Sequence, residues 1–545
     1  MPGRHRSGAV LRRSTARIPL LIAVVVVIAT GTVLVVQNLA DAGGCSDTSG
    51  LRLPVTADPA IAPAIQKVAD DWTAAEEPRV DGRCVAVDVA AVPTADMAGA
   101  LASSAGGFVD VATPAPTETA IPAVWVPDSS YWVAQLRGVS RTLFDSALTP
   151  PAALAASPIV LGASPAGADL LGAGRVTPAD LREPVLAALA AQEPPVVRLA
   201  EPRRDTAGLV GAGWLQQAVV ASDEDLPTVV GAFRSLGRAP LDTPGLLASL
   251  AEAGDGPALA PVSEQAVTTY NQSAATPITV IPVADAPVLD FPYALLARQP
   301  RDVQTAANRF RDALAAAGPV FAAHGFQPVG GEGLGPPVTS LEQLAPALRI
   351  WTSATRDARV LSVVNVNSSM GEQLGAGRRI DVFAATAQQG LELFTPNSQL
   401  GHWEYADDRS EGVPIDTLDD EQKQAILAAI GAIQIRQTDQ AALFETLVAA
   451  YRELKEGYDP TRSNTLIMWT DSANDQPGGP TLDETLQELE KLADVTRPIR
   501  VVLLGLGPDA DMTQLEAIAR TTGGGAFSLQ DPDEIALIFL RALLT

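Results

Sequence analysis

The stretch Arg359-Val360-Leu361-Ser362-Val363-Val364-Asn365-Val366-Asn367-Ser368-Ser369-Met370-Gly371 decides how the C-terminal part of the chain folds. Residues 360–364 are apolar except for one serine, a run too short for a helix and without strict alternation. Such a run reads as a strand buried on both faces, as in a parallel sheet. Amides, hydroxyls and a glycine follow, so the strand ends in a polar turn. Residues 465–470 and 499–505 have the same continuous apolar character, and amphipathic helical periodicity marks 421–433, 441–454, 482–493 and 534–544. Strands alternating with such helices specify a doubly wound α/β sheet, whose ligand crevice lies at the carboxyl ends of the strands. The turn from Asn365 to Gly371 falls at that end.

Working upstream, residues 329–337 are rich in Gly and Pro without periodicity and read as a linker. Before them a second α/β series occupies residues 51–328. Its strand-like runs are 84–92, 108–112, 159–162, 196–199 and 278–282. Helices are expected at 61–75, at 177–191 with Thr177 as N-cap, and at 301–317. Two or three domains suit a chain of 545 residues.

The start of the chain carries a different signal. Residues 18–36 are apolar and uncharged, about long enough for a helix to cross a bilayer. Arg4, Arg6, Arg12, Arg13 and Arg17 precede them and Asp41 follows, which puts the N-terminus in the cytoplasm and the remainder outside. A cleaved signal peptide and a lipoprotein anchored through Cys45 are the alternatives. The expected organisation is a basic tail (1–17), a single transmembrane anchor (18–36), a first domain (45–328), a linker (329–349) and a second domain (350–545). Cys45 and Cys84 are the only cysteines, and an oxidising compartment favours pairing them, with free buried thiols as the alternative. The disulfide would stabilise the first domain by roughly 3 to 4 kcal/mol.

Several chemistries are disfavoured. A formal charge of −25 lacks the basic footprint that nucleic acid demands. His5, His324 and His402 stand far apart, without metal-ligand spacing. No nucleophile elbow, phosphate-binding loop or dinucleotide fingerprint stands in a strand-to-helix context. The chain does not read as an enzyme.

The Asn365 to Gly371 turn resembles the metal-binding motif of von Willebrand factor A (VWA) domains, which carry Asp-x-Ser-x-Ser after the first strand, a Thr in a later loop and an Asp after the fourth strand. Residues 469–472, Trp-Thr-Asp-Ser, look like the last of these elements. The resemblance implies a Rossmann-like VWA domain and a divalent-cation site formed by Asn365, Asn367, Ser369 and Asp471. Two positions depart from the motif: Asn365 replaces the leading Asp and Asn367 the first Ser. Ala441 stands where the loop threonine belongs, with Thr438 and Asp439 as neighbouring substitutes. Neutral amides bring no charge to a hard cation, so the site is expected to be degenerate and to hold magnesium weakly, with no resident cofactor.

The first domain resembles bacterial extracellular solute-binding proteins, molybdate-binding ones in particular. The resemblance rests on residues 124–130 (Val-Trp-Val-Pro-Asp-Ser-Ser), 201–208 (Glu-Pro-Arg-Arg-Asp-Thr-Ala-Gly), 261–267 and 289–293. It implies a two-lobed fold with Ser129, Ser130, Thr206 and Gly208 in loops entering helices, where hydroxyls and free amides receive an anion or a carbonyl group. Helix capping is the other reading of the same residues. A solute-binding module and a VWA module behind one anchor resemble proteins of actinobacteria. The implied function is extracytoplasmic recognition of a small solute or envelope component, coupled to a protein partner held by the VWA-like domain. The alternatives are a receptor for a transport system, which needs a separate permease, and an envelope enzyme.

Overall fold

The computed structural model describes residues 50–530, apart from 113–118, 146–151, 173, 192–195, 220–225, 238–240, 255, 340, 376, 392–393, 396 and 495–496. The expected anchor at 18–36, Cys45 and the expected helix at 534–544 lie outside the described residues. Among the described residues no helix is long and apolar enough to cross a membrane. Cys84 is buried in its strand.

In chain order the strands of the first region are β1 (Leu51–Ala57), β2 (Arg79–Val80), β3 (Arg83–Ala91), β4 (Val124–Val126), β5 (Ala152–Ala153), β6 (Ser157–Ala163), β7 (Leu259–Ser263), β8 (Thr279–Ile281), β9 (Val288–Leu289) and β10 (Pro292–Leu295). They form two sheets, one in the order β2-β3-β1-β4-β10-β5 and one of β7-β6-β8 with β9 beside β6. The chain therefore crosses from the first sheet to the second after β5 and returns between β9 and β10. Two lobes joined by two crossings result. In the first lobe β1 runs parallel to β3 and β4, and β10 closes antiparallel on β4. The helix Thr206–Val219 packs on β7 and belongs to the second lobe.

Differences from the sequence reading here have local causes. Residues 108–112 form no strand: Val109 and Val111 are buried against the core, and Ala112 at φ 64° turns the chain away. Residues 196–199 contribute one bridge, Val197 to Leu259, rather than a strand. The helix after Thr177 opens as a 3-10 turn, Pro178–Leu181, held by a reciprocal Thr177 and Asp180 capping box, and continues as Arg182–Ala191.

The second region contains β11 (Ala358–Asn365), the small hairpin β12 (Gln373–Leu374) and β13 (Gly377–Arg378), then β14 (Gln399–Tyr405), β15 (Arg409–Thr417), β16 (Ser463–Thr470), β17 (Ile499–Leu506) and β18 (Gly525–Leu529). Its sheet runs β15-β14-β11-β16-β17-β18, parallel except for the edge strand β15. Side chains alternate between two cores. Val360, Val364, Ile467, Trp469, Val502 and Leu504 face one, while Leu361, Val363, Leu466, Met468, Val501 and Leu503 face the other. This two-sided burial is why the strands read as unbroken apolar runs. Strands β14, β15 and β18 and the helices Arg379–Leu391 and Met512–Thr522 were not apparent in the sequence.

The helix Leu341–Thr355 begins inside the stretch expected to be a linker. Pro346 sits within it and hides the helical signal, but Leu344, Ala347, Leu348 and Trp351 still repeat at helical spacing and pack on the first region. Trp351 meets Phe233 edge to face at 5.5 Å and donates from Nε1 to Glu201 at 2.9 Å.

Candidate functional site

Two polar clusters stand at the ends of the two sheet systems. In the first region Asp58 follows β1, Asp128 and Ser129 lie just beyond β4, and the helix Thr206–Val219 of the other lobe starts at Thr206. These loops converge. Ser129 Oγ lies 3.0 Å from Thr206 Oγ1, both hydroxyls donate to Asp128 Oδ1 at 3.0 and 2.9 Å, and both residues are fully buried. Trp132 Nε1 donates to Thr206 Oγ1 at 3.0 Å. Thr94 Oγ1 donates to Asp58 Oδ2 at 2.7 Å and accepts from the Asp128 amide at 3.0 Å.

Two further carboxylates complete this cluster. Asp205 caps the Thr206 helix by accepting from the Gly208 amide at 2.7 Å, and its other oxygen accepts from Thr243 at 2.6 Å. Asp290, at the return crossing, accepts from both the amide and the hydroxyl of Ser130. Gly208 also has a packing reason to be glycine, because a Cβ there would lie 2.4 Å from the Ala200 carbonyl oxygen. Each sequence-predicted contact group is thus engaged by a carboxylate of the chain itself.

Electrostatics follow from this crowding. Burial and then the neighbouring charges of Asp58 and Asp205 push Asp128 well above the usual carboxylate range, partly offset by the Thr206 and Ser129 hydrogen bonds. Burial raises Asp58, Asp205 and Asp290 as well. The strongest charge effects on Asp58 and Asp128 come from other carboxylates. The cluster favours a proton or a positive group over a second anion.

The second cluster sits where the sheet reverses direction of winding, between the ends of β11 and β16. Asn365, Asn367 and Asp471 are buried there. Asn365 Nδ2 donates to Asp471 Oδ1 at 2.9 Å, and Asn365 Oδ1 accepts from the Asn367 amide at 3.1 Å. Ser369 Oγ donates to Asn367 Oδ1 at 2.7 Å. The loop of Thr438 and Asp439 lies over this turn: the Ser368 amide donates to Thr438 O at 2.8 Å, and Ser368 Oγ donates to the Asp439 carboxylate. Ala441 makes a two-way backbone bridge to Asp475.

The other oxygen of Asp471 is taken by a residue the motif did not suggest. Arg379, the first residue of the helix Arg379–Leu391, is buried and places Nη1 3.0 Å from Asp471 Oδ2. Its Nη2 pairs with Asp509, beyond β17, and lies 2.9 Å from Glu372 Oε2. Burial alone would lower the Arg379 pKa, but hydrogen bonds to Asp509 and Asp471 and the attraction of Asp471 and Glu372 hold it above its ordinary value. Gly507, at φ 82°, leaves the space the guanidinium needs, since a Cβ there would stand 3.0 Å from Arg379 Nε. A divalent cation does not fit this donor set. Asp471 is already paired on both oxygens, and two of the motif's oxygen ligands are amides turned to other partners. Among the described residues no group of three or more His, Cys, Asp or Glu side chains is placed to hold a metal.

Sequence reasoning found Asp471 and the Asn365 turn but missed Arg379, Asp58, Asp205 and Asp290. Arg379 had no signal beyond the Arg378-Arg379 pair, and nothing in the sequence brought the three aspartates together. A groove of about 400 Å³ between Trp403, Glu411, Glu445, Arg452, Glu453 and Glu488 touches neither cluster.

No family model matches the chain. An uncharacterized protein of Mycobacterium tuberculosis, found in strains CDC 1551 / Oshkosh and ATCC 25618 / H37Rv, is 27% identical over 522 residues, covering 87% of this chain and 74% of that one. Among solved structures, the substrate-binding protein of an ABC transporter from Agrobacterium tumefaciens matches with a TM-score of 0.40 at 12% identity, covering 57% of this chain and 96% of that one. A von Willebrand factor type A protein from Catenulispora acidiphila matches with a TM-score of 0.29 at 14% identity, over 35% of this chain and 42% of that one. This chain thus spans less than half the length of the last.

Proposed function

We propose that this chain is a membrane-anchored extracytoplasmic binding protein, in which the two-lobed region recognises a small solute or envelope component and the VWA-like region engages a protein partner. The observation that supports this most is the contact of Ser129 and Asp128 from one lobe with Thr206 from the other, at the carboxyl ends of β1 and β4 and the start of a helix. Crevices at that position, between two lobes, are where small ligands bind. The solute carries positive charge or several hydrogen-bond donors, because Asp58, Asp128, Asp205 and Asp290 surround the interlobe line. A free oxyanion would meet four carboxylates and, among the described residues, no unpaired cation at the cluster. Protease added outside intact cells is expected to digest the chain beyond residue 36 and leave residues 1–17 protected.

Native mass spectrometry of the full chain purified without added ligand tests the binding reading. A small solute retained by the parent chain and lost from the Asp58→Ala, Thr94→Ala double variant is expected. A chemically altered envelope fragment would favour an enzyme, and a bare parent chain that also takes up nothing from a pool of cationic solutes overturns the reading.

A further inference from the structure

We infer that Arg379 is a built-in cation: its guanidinium neutralises Asp471 and ties together the loops at the carboxyl end of the second sheet, a position where the resembling domains hold a divalent metal ion. The inference concerns how this face is assembled and stands whether or not a partner docks there.

Three independent features converge on it. First, the guanidinium joins three separate loops, reaching Glu372 after β11, Asp471 after β16 and Asp509 after β17. A metal ion joins loops in the same manner, by drawing anionic ligands from different strand ends to one point. Second, the backbone is shaped around Arg379. The β12 and β13 hairpin returns the chain so that the Arg379 amide donates to Glu372 O at 2.9 Å, and Gly507 at positive φ keeps the opposite wall clear. Third, the loss of acidic ligand and the gain of arginine match in charge. Where Asp-x-Ser-x-Ser would supply a carboxylate, Asn365 supplies an amide that donates to Asp471, so the site holds one buried carboxylate and one buried guanidinium. Replacing a double positive charge by a single one requires one anion fewer, and that anion is missing. Arg379 is only 2% exposed, so a partner's carboxylate finds neither an open coordination position nor a reachable guanidinium.

Thermal unfolding of the full-length chain tests this, in chelator and in millimolar magnesium, manganese or calcium. The parent chain is expected to melt at the same temperature in all four. Arg379→Met is expected to melt lower in chelator and to be raised by at least one of the ions, because Asp471, Glu372 and Asp509 then face one another without a counter-charge. The double variant Arg379→Met, Asp471→Asn removes the buried charge with its partner and is expected to regain much of the lost melting temperature without any response to metal. A parent chain stabilised by metal and destabilised by chelator overturns the inference. So does a double variant as unstable as the single one, since Arg379 would then act by packing rather than by charge. Should Arg379→Met fail to fold, the parent and the double variant still decide the matter.

Discussion

The interlobe cluster and the cluster on the second sheet are both closed by groups of the chain itself, but with opposite balance of charge. Between the lobes, hydroxyls and amides suited to an outside anion are received by Asp128, Asp205 and Asp290, and Asp128 is repelled by Asp58 and Asp205. On the second sheet Asp471 meets Arg379, so the buried charges cancel. Cancelled buried charges hold a structure in one arrangement, and breaking such a pair is costly. Like charges crowded together cost free energy that opening, protonation or a cationic ligand can relieve. The difference predicts that the interlobe line responds to protonation or to a cationic ligand more than the Asp471 site does.

The largest test of this contrast is to remove one carboxylate from each cluster. Asp471→Ala leaves a buried guanidinium with only its two solvent-exposed partners and strips the Asn365 amide of its nearer acceptor, so unfolding free energy should fall by about 3 to 5 kcal/mol. Denaturant titration of the full chain measures it. A loss below about 1 kcal/mol, the worth of an ordinary exposed ion pair, would remove the distinction between the two sites.

Acidification separates the regions next, in opposite directions. His402 on β14 is buried, stacked with Phe383, and its Nε2 has no hydrogen-bond partner, so burial pushes its pKa down to about 4. The unfolded chain therefore binds this proton before the folded one does. Stability from neutral His402 is complete above the ordinary histidine value and is lost as pH falls towards about 4. At roughly 1.4 kcal/mol per unit, the loss is about 3 kcal/mol. His402→Phe should flatten the acid limb, read as exchange protection of β14 and β11 against pH. An unchanged limb would place the acid sensitivity elsewhere.

Gly208→Ala ranks third. A Cβ at 2.4 Å from the Ala200 carbonyl must move backbone, which costs about 1 to 3 kcal/mol and shifts the helix that carries Thr206. Interlobe closure, followed by small-angle scattering, should weaken together with stability. Destabilisation with unaltered closure would show that the helix start does not set the lobe contact.

How much of this could be read from sequence depended on whether the governing interaction is local. The strands β11, β16 and β17 were legible because burial on both faces demands unbroken apolar runs. Strand β14 was not, since His402 and Glu404 interrupt its pattern while stacking and partial burial accommodate them. Asp471 was visible through its position after a strand, whereas Arg379, 92 residues away along the chain, becomes its partner only through the sheet order. In the interlobe cluster the hydroxyls of Ser129 and Thr206 were singled out for an outside ligand. Their acceptor is Asp128, next to one of them in sequence and yet silent, because a single aspartate before a helix is indistinguishable from a cap.

The smallest and most discriminating effect is expected from Asp128→Asn. Both hydroxyls donate to the same oxygen, Oδ1, which an asparagine carbonyl reproduces in place, so the interlobe hydrogen bonds persist. What disappears is a charge that Asp58 and Asp205 repel. Asp128 has a raised pKa in the folded state, so the folded chain keeps a proton that the unfolded chain has already released. Stability from this group is fully present below the ordinary aspartate value and is lost as pH rises through the raised one. Where Asp128 is ionised in the folded chain that stability is gone, and the neutral amide restores it. Asp128→Asn should therefore stabilise the first region at pH values above the raised pKa and remove the gain in stability that acidification through that pKa gives the parent. The same substitution should weaken binding of a cationic solute, because the charge that would attract it is gone. Melting curves from pH 7 down to mild acid, with the His402→Phe background to silence the second region, isolate the effect. A variant that is destabilised at neutral pH would mean that Asp128 is ionised and matched by a positive group, and the two clusters would then be closed by the same kind of charge pair.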